Sequence, residues 1–316
     1  MRNTLTVMNA KGGVGKSTLV LALAETFAAY HGKSVLVLDA DAQASISHLL
    51  VQHHQLEAAQ SAGRTIVDYL VGVVLKDSAP NWRDFLISDV SDIDDARSIA
   101  LVPSDTQLTL FEREVSKGDH ETRLRRAVGS WLADAAQAYD IVLIDSAPGL
   151  SVLTECFLRE AHYYVSPTKP DYISTRGLKF LREFKQRDAE MGFAENLGVI
   201  INMKDLHSPE DDHFERWLRE DPDNRCFQQV VPRASPLQAT GFISPHPRSY
   251  WAKYPGETGD HLRQLAIEVL DRLTTAQANS LDGERVPDAE MGEEGIKRNE
   301  GTVKAMWATW KERRTL

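Results

Sequence analysis

The chain has 316 residues, 42% of them apolar, enough for one large α/β domain or two small ones that bury a core. No apolar run approaches the roughly 18 residues of a membrane-spanning helix, and two cysteines, Cys156 and Cys226, without a CxxC exclude a disulfide framework or a cysteine zinc site. The formal net charge of −10 excludes a surface that is basic all over, though not a local basic patch.

The chain opens with Leu5-Thr6-Val7-Met8, a strand that runs straight into a glycine loop with no secretory pattern, so a cytoplasmic protein is expected. Short apolar runs rich in β-branched residues then alternate with helical stretches. Strands are expected at 5–8, 34–38, 99–102, 141–144, 163–165, 197–201 and 227–231, and helices at 16–31, 124–138, 152–160, 175–191, 213–220 and 259–273. Strands apolar throughout, alternating with helices, give an α/β fold: a mostly parallel twisted sheet with helices on both faces. Residues 51–98 are less regular, with Gly63, Pro80 and an acidic stretch from Asp89 to Asp95, and read as helices and loops inserted between the second and third strands. After Leu273 the composition shifts to Ala, Asn, Gly, Asp and Glu. The expected division is one domain over 1–273, a flexible acidic linker over 274–300 and a short amphipathic helix over 301–316.

The glycine loop, Asn9-Ala10-Lys11-Gly12-Gly13-Val14-Gly15-Lys16-Ser17-Thr18, lies between a strand and a helix. Backbone N–H groups unshielded by side chains can point at phosphate oxygens there. Lys16 can reach the outer phosphates and the Ser17 hydroxyl can bind Mg²⁺. Ala10 stands where the phosphate-loop pattern has its first glycine, so the match is to a deviant form, K-G-G-x-G-K-[ST]. Two further strands end in carboxylates, at Asp39-Ala40-Asp41 and at Asp145. A carboxylate at a strand tip can hold waters on Mg²⁺ and a second can orient an attacking water, whereas either alone also serves as a cap or a turn.

With these segments the chain resembles the ParA/MinD group of deviant Walker A ATPases, P-loop NTPases, and most of all the ParA-type partition ATPases. The resemblance covers about residues 1–273. Softer matches follow at Val102-Pro103-Ser104 with Leu108, at Pro167 to Asp171 with Gly177-Leu178, at Val231-Pro232-Arg233, and from Tyr254 to Glu268. It implies ATP and Mg²⁺ as cofactors, with Lys11, Gly12, Gly13, Val14, Gly15, Lys16, Ser17 and Thr18 on the phosphates. It implies that Lys11 reaches phosphate across a homodimer formed face to face on ATP, where sequence alone also allows a solvated lysine. Asp41 would position or activate the water, Asp145 would support the Mg²⁺ shell, Asp39 would be a nearby switch residue, and Gly149 would offer a mobile N–H near the last phosphate. Asn202 and the Pro232 region would hold adenine. The chain departs from the family at Asp41-Ala42-Gln43, where a proline is usual at the middle position and its loss loosens the turn. It departs again at Pro148, which stands one residue later than usual.

Three readings of the ATP cycle follow. In the first, the dimer binds DNA non-specifically and partitions a plasmid or chromosome with a ParB-like, centromere-binding activator. Arg176, Lys179, Arg182 and Lys185, three apart on one helix and extended by Arg187, together with Arg233, Arg248, Lys253 and Arg263, are the candidate DNA contacts; a solvated helix face reads the same way. The second is a MinD-like switch at a membrane or on a protein cargo. It would use Val303, Met306, Trp307 and Trp310, ringed by basic residues, although such a helix also docks on protein. The third, a reductase relative with an iron–sulfur cluster, needs cysteines at places where Cys156 and Cys226 do not fall.

Overall fold

The computed structural model describes residues 2–187, 191–239 and 243–283. Eight strands form one sheet: β1 (Thr4–Val7), β2 (Val35–Ala40), β3 (Ile87–Ser88), β4 (Ile99–Val102), β5 (Ile141–Ser146), β6 (Tyr163–Thr168), β7 (Glu195–Lys204) and β8 (Val231–Pro232), in the order β3-β4-β2-β5-β1-β6-β7-β8. All neighbours run parallel except β3, which pairs antiparallel with β4. The helices are α1 (Lys16–His31), α2 (Ser45–Leu50), α3 (His53–Ser61), α4 (Ile66–Leu70), α5 (Leu108–Lys117), α6 (Glu121–Ala138), α7 (Val152–Glu160), α8 (Tyr172–Arg187), α9 (Pro209–Glu220), α10 (Ser235–Gln238), α11 (Tyr250–Lys253) and α12 (Glu257–Gly283). The α/β class read from the sequence is the one observed.

Every residue of β1, β2, β5 and β6 is buried, as strands covered on both faces must be. On one face, α4 to α7 close over Leu36, Leu38, Val142 and Ile144 around Trp131 and Phe157. On the other, α1 is apolar almost all round and buried accordingly, from Leu19 to Ala24 and at Phe27. The chain winds to one side of β1 through β2 and β4, and to the other through β6 and β7. That reversal leaves a crevice at the carboxyl ends of β1, β2 and β5, the position at which open parallel sheets take ligands.

Several boundaries differ from expectation for identifiable reasons. The last strand was expected at 227–231, but the strand itself is Val231–Pro232, and of the stretch before it the Phe227 N–H alone reaches β7, at the Val199 carbonyl. The Gln228 and Gln229 N–H groups donate instead to the Glu268 carboxylate of α12, and Phe227 packs buried below them. Helix α8 begins at Tyr172, ahead of Thr175, because the Asp171 carboxylate accepts from both the N–H and the hydroxyl of Ser174. The first part of the expected 274–300 linker belongs instead to α12, which stays helical to Gly283; the rest of it lies outside the described residues. The chain divides into a compact unit, Met1–Thr274, and a second unit from Thr275. The expected helix over 301–316 lies outside the described residues, and no described helix is long and apolar enough to cross a membrane.

Candidate nucleotide site

The loop between β1 and α1 is shaped by what flanks it. Asn9 is buried; its amide donates to the Pro167 carbonyl and the Thr168 hydroxyl of β6, while its Oδ1 accepts the Lys11 N–H. This braces the loop's entry, a role the sequence reading left unassigned. Gly15 is the N-cap of α1 at φ 83, and no side chain caps the helix, so its first-turn N–H groups face the loop. A Cβ at Gly15 would stand 2.6 Å from the Asn202 amide nitrogen, which donates to the Val14 carbonyl at 2.8 Å. Only glycine accepts both that φ and that approach. Asn202 is aimed there by a bulge in β7, where Met203 takes a positive φ.

Lys16 is 8% exposed, and burial lowers its pKa while Asp145 and Asp41 pull the other way. Ser17 and Thr18 are half-buried behind it, and Lys11, Gly12 and Gly13 are exposed at the mouth. Asp39 and Asp145 sit directly opposite each other on β2 and β5. Burial pushes the Asp39 carboxyl up to about 7, against the hydrogen bonds it accepts from Ser47 and the Asp41 N–H. Burial, and then the Asp39 charge, hold Asp145 well above the usual carboxylate range, opposed by Ser17 and Lys16. Ser17 is near enough to act on Asp145 electrostatically without closing a hydrogen bond of normal geometry, and both Asp145 oxygens are buried without a partner. A buried carboxylate of that kind calls for a cation or water, so the residues present fit a hydrated Mg²⁺.

Asp41 stands half-exposed past β2, its Oδ1 accepting the Gln43 N–H, and the Ala44 N–H returns to the Asp41 carbonyl. The side chain thus closes the turn that the missing proline was expected to loosen. Gly149 has φ 88, and Pro148 before it lies against Gly12. Beside the loop a cavity of about 290 Å³ is lined by Gly13, Asn202, Met203, Pro232, Arg233 and Leu237 among others. Asn202 and the Pro232 region therefore meet at one cavity, with the Asn202 amide already engaged by the phosphate loop.

The expected basic stripe is broken up. Arg176 and Lys179 are exposed on α8, Lys179 with Glu183 3.8 Å away, and Arg187 and Arg233 are exposed too. Arg182 instead pairs with Asp221 at 2.8 Å and donates to Asn224. Lys185 donates to the Ala194 carbonyl and lies over the Tyr164 ring, where burial pushes its pKa down to about 8. Arg248 pairs with Asp92, and Arg263, paired with Asp260, lies over the Tyr30 ring. Lys253 is the clearest correction: its side chain is 1% exposed and its ammonium lies 2.7 Å from both Glu25 and Asp92. A lysine so enclosed serves the fold, not DNA. The thiols of Cys156 and Cys226 are both pushed up by burial.

A family model described as an AAA domain matches residues 2–193. The chromosome partitioning protein ParA of Caulobacter vibrioides is 28% identical over 279 residues, 87% of this chain and 97% of that protein. The chromosome-partitioning ATPase Soj of Treponema pallidum is 26% identical over 237 residues, 74% of this chain and 84% of its own. Two solved structures share the fold at 20% identity. A pNOB8 ParA bound to nonspecific DNA has a TM-score of 0.65, with 87% of this chain and 99% of that one covered. The cobyrinic acid a,c-diamide synthase of Mycobacterium smegmatis with bound ADP and magnesium has a TM-score of 0.66, with 87% and 96% covered. With its deviant phosphate loop and its three carboxylates at the strand ends, the chain belongs to this AAA-domain family, on its ParA/MinD-like side.

Proposed function

We propose that the chain is a slow Mg²⁺-dependent ATPase that dimerises on ATP, binds DNA non-specifically as the dimer and, with a ParB-like activator, partitions or positions a DNA cargo on the nucleoid. The observation that carries the chemistry is Asp145: a fully buried carboxylate without a hydrogen-bond partner, behind Ser17 and Lys16 of a phosphate loop. Ser17 would hold Mg²⁺ directly, and Asp41 and Asp145 through water. When bound, the ion would neutralise charge on the transferred phosphate. Lys16 and the first-turn N–H groups of α1 orient the outer phosphates. Asp41, at the mouth, orients the attacking water. The cavity at Asn202 and Pro232 takes the base. Lys11, exposed beside Gly12, would reach the nucleotide of a second copy.

The DNA reading is supported by the ParA relatives and by the exposure of Arg176, Lys179 and Arg233. Substituting Lys16→Ala should abolish ATP binding or turnover. Asp41→Ala should leave an ATP-bound dimer that hydrolyses poorly, and normal turnover in that variant would sink the assignment.

A further inference from the structure

Helix α2 starts without a cap of its own. Its N-cap residue, Ala44, has no side chain to offer and sits at φ 51. The N–H of Ser47 is satisfied from a distance, by Asp39 Oδ2 at 3.0 Å, and the Ser47 hydroxyl donates to the same oxygen at 2.6 Å. The other Asp39 oxygen accepts the Asp41 N–H at 3.2 Å. Ser47 Oγ in turn accepts the Ser104 N–H at 3.2 Å, from the segment that leaves β4. That segment is itself held by Gln60, which donates to the Ser104 carbonyl, and by the Ile66 N–H on the Pro103 carbonyl. Asp39, Ser47 and Ser104 are all fully buried.

We infer that Ser47 is a positioning residue for Asp41: its hydroxyl fixes the Asp39 carboxylate, and that carboxylate sets the backbone turn that aims Asp41 at the phosphate loop. The inference rests on the reading of Asp41 as the water-orienting group. A two-oxygen carboxylate with each oxygen committed to a different element cannot rotate without breaking both. The Asp41 turn is thereby tied to α2 and to the segment after β4 at once. Without the hydroxyl, Asp39 Oδ2 keeps one N–H donor, the Ser104 N–H loses its acceptor, and the carboxylate is free to turn. Small displacements of a water-orienting group lower turnover steeply.

The test compares Ser47→Ala, Ser47→Thr, Asp41→Ala and the Ser47→Ala/Asp41→Ala pair with the parent. Each is measured for kcat, for affinity toward a fluorescent ATP analogue, and for hydrogen exchange without nucleotide. Ser47→Ala should lower kcat about tenfold with analogue affinity within about twofold, and the Asp41 and Ser104 amides should lose protection. Ser47→Thr should restore kcat. The double variant should be no slower than Asp41→Ala alone, since both changes act through one group. If Asp41→Ala is inactive while folded Ser47→Ala keeps kcat within about twofold, or exchanges at Asp41 as the parent does, the positioning role is wrong and the Asp41 reading stands. If Asp41→Ala itself turns over normally, the Asp41 reading fails and this inference with it.

Discussion

Replacing Lys253 by methionine tests its place in the interior and not on a DNA surface. Its ammonium sits 2.7 Å from Glu25 Oε1 and 2.7 Å from Asp92 Oδ1, and all three side chains are at most 2% exposed. Methionine keeps most of the volume and removes the charge, so two buried carboxylates lose their shared cation. Breaking a buried pair by removing one partner costs about 3–5 kcal/mol. Here the two carboxylates left behind are partly compensated. Asp92 keeps Arg248 and the Ser244 N–H, and Glu25 keeps the hydroxyls of Ser91 and Tyr254. The lower end applies, about 3 kcal/mol, read as a drop in urea midpoint. The pH dependence has a definite sign. Burial alone would raise the Asp92 carboxyl, but Lys253, together with the Ser244 N–H and Arg248, outweighs it and holds Asp92 below its ordinary 3.8. In the parent that contribution is present above the ordinary value and is lost as pH falls through the folded one. In the variant burial is less opposed, so the gap between parent and variant narrows on acidification. A loss under about 1 kcal/mol, with DNA affinity per folded molecule reduced, would refute the reasoning and return Lys253 to the surface.

Lys185 should report with the same sign of slope, in an alkaline window. Its folded pKa of about 8 lies below its ordinary 10.5, so the parent should gain stability relative to Lys185→Met as pH rises between those values, followed by denaturant midpoints at stepped pH. Gly15→Ala meets both a φ of 83 and the Asn202 amide, and should weaken binding of a fluorescent ATP analogue by at least about tenfold, while an unchanged affinity would show that the loop can yield there. Arg176→Glu with Lys179→Glu should lower DNA affinity and flatten its salt dependence by about one unit of slope per lost phosphate contact, with ATP binding unaltered.

Local chemistry made much of this molecule readable in advance. The phosphate loop, α1, β4 and α7 follow from glycine placement, caps and apolar runs that need no distant partner; α1 and α7 begin and end where the sequence indicates. The strand-end carboxylates Asp39 and Asp145 were visible because they follow fully apolar strands in a chain that also carries the phosphate loop; either alone would have read as a cap or a turn. What escaped notice depends on residues far apart in the chain. The Gln228 and Gln229 amides turn away from the ladder because Glu268 is 40 and 39 positions on. The fate of Lys253 hinges on Glu25 and Asp92, 228 and 161 positions earlier. A basic residue looks alike in sequence whether it faces water or a buried acid, which is why the stripe from Arg176 to Lys185 read as continuous. Strand β3 has only Ile87 and Ser88, too short for any alternation to show. Ser47 carried no signal at all: a serine in the first turn of a helix is ordinary, and only the fold brings it under Asp39.

The most direct test of the central claim is binding to random-sequence duplex DNA with ATP, with ADP and without nucleotide, over a salt series. Binding with ATP alone, weakening steeply as salt rises, is the expected result. No binding in any state, with ATP still bound, would contradict it and direct attention to a membrane or protein cargo.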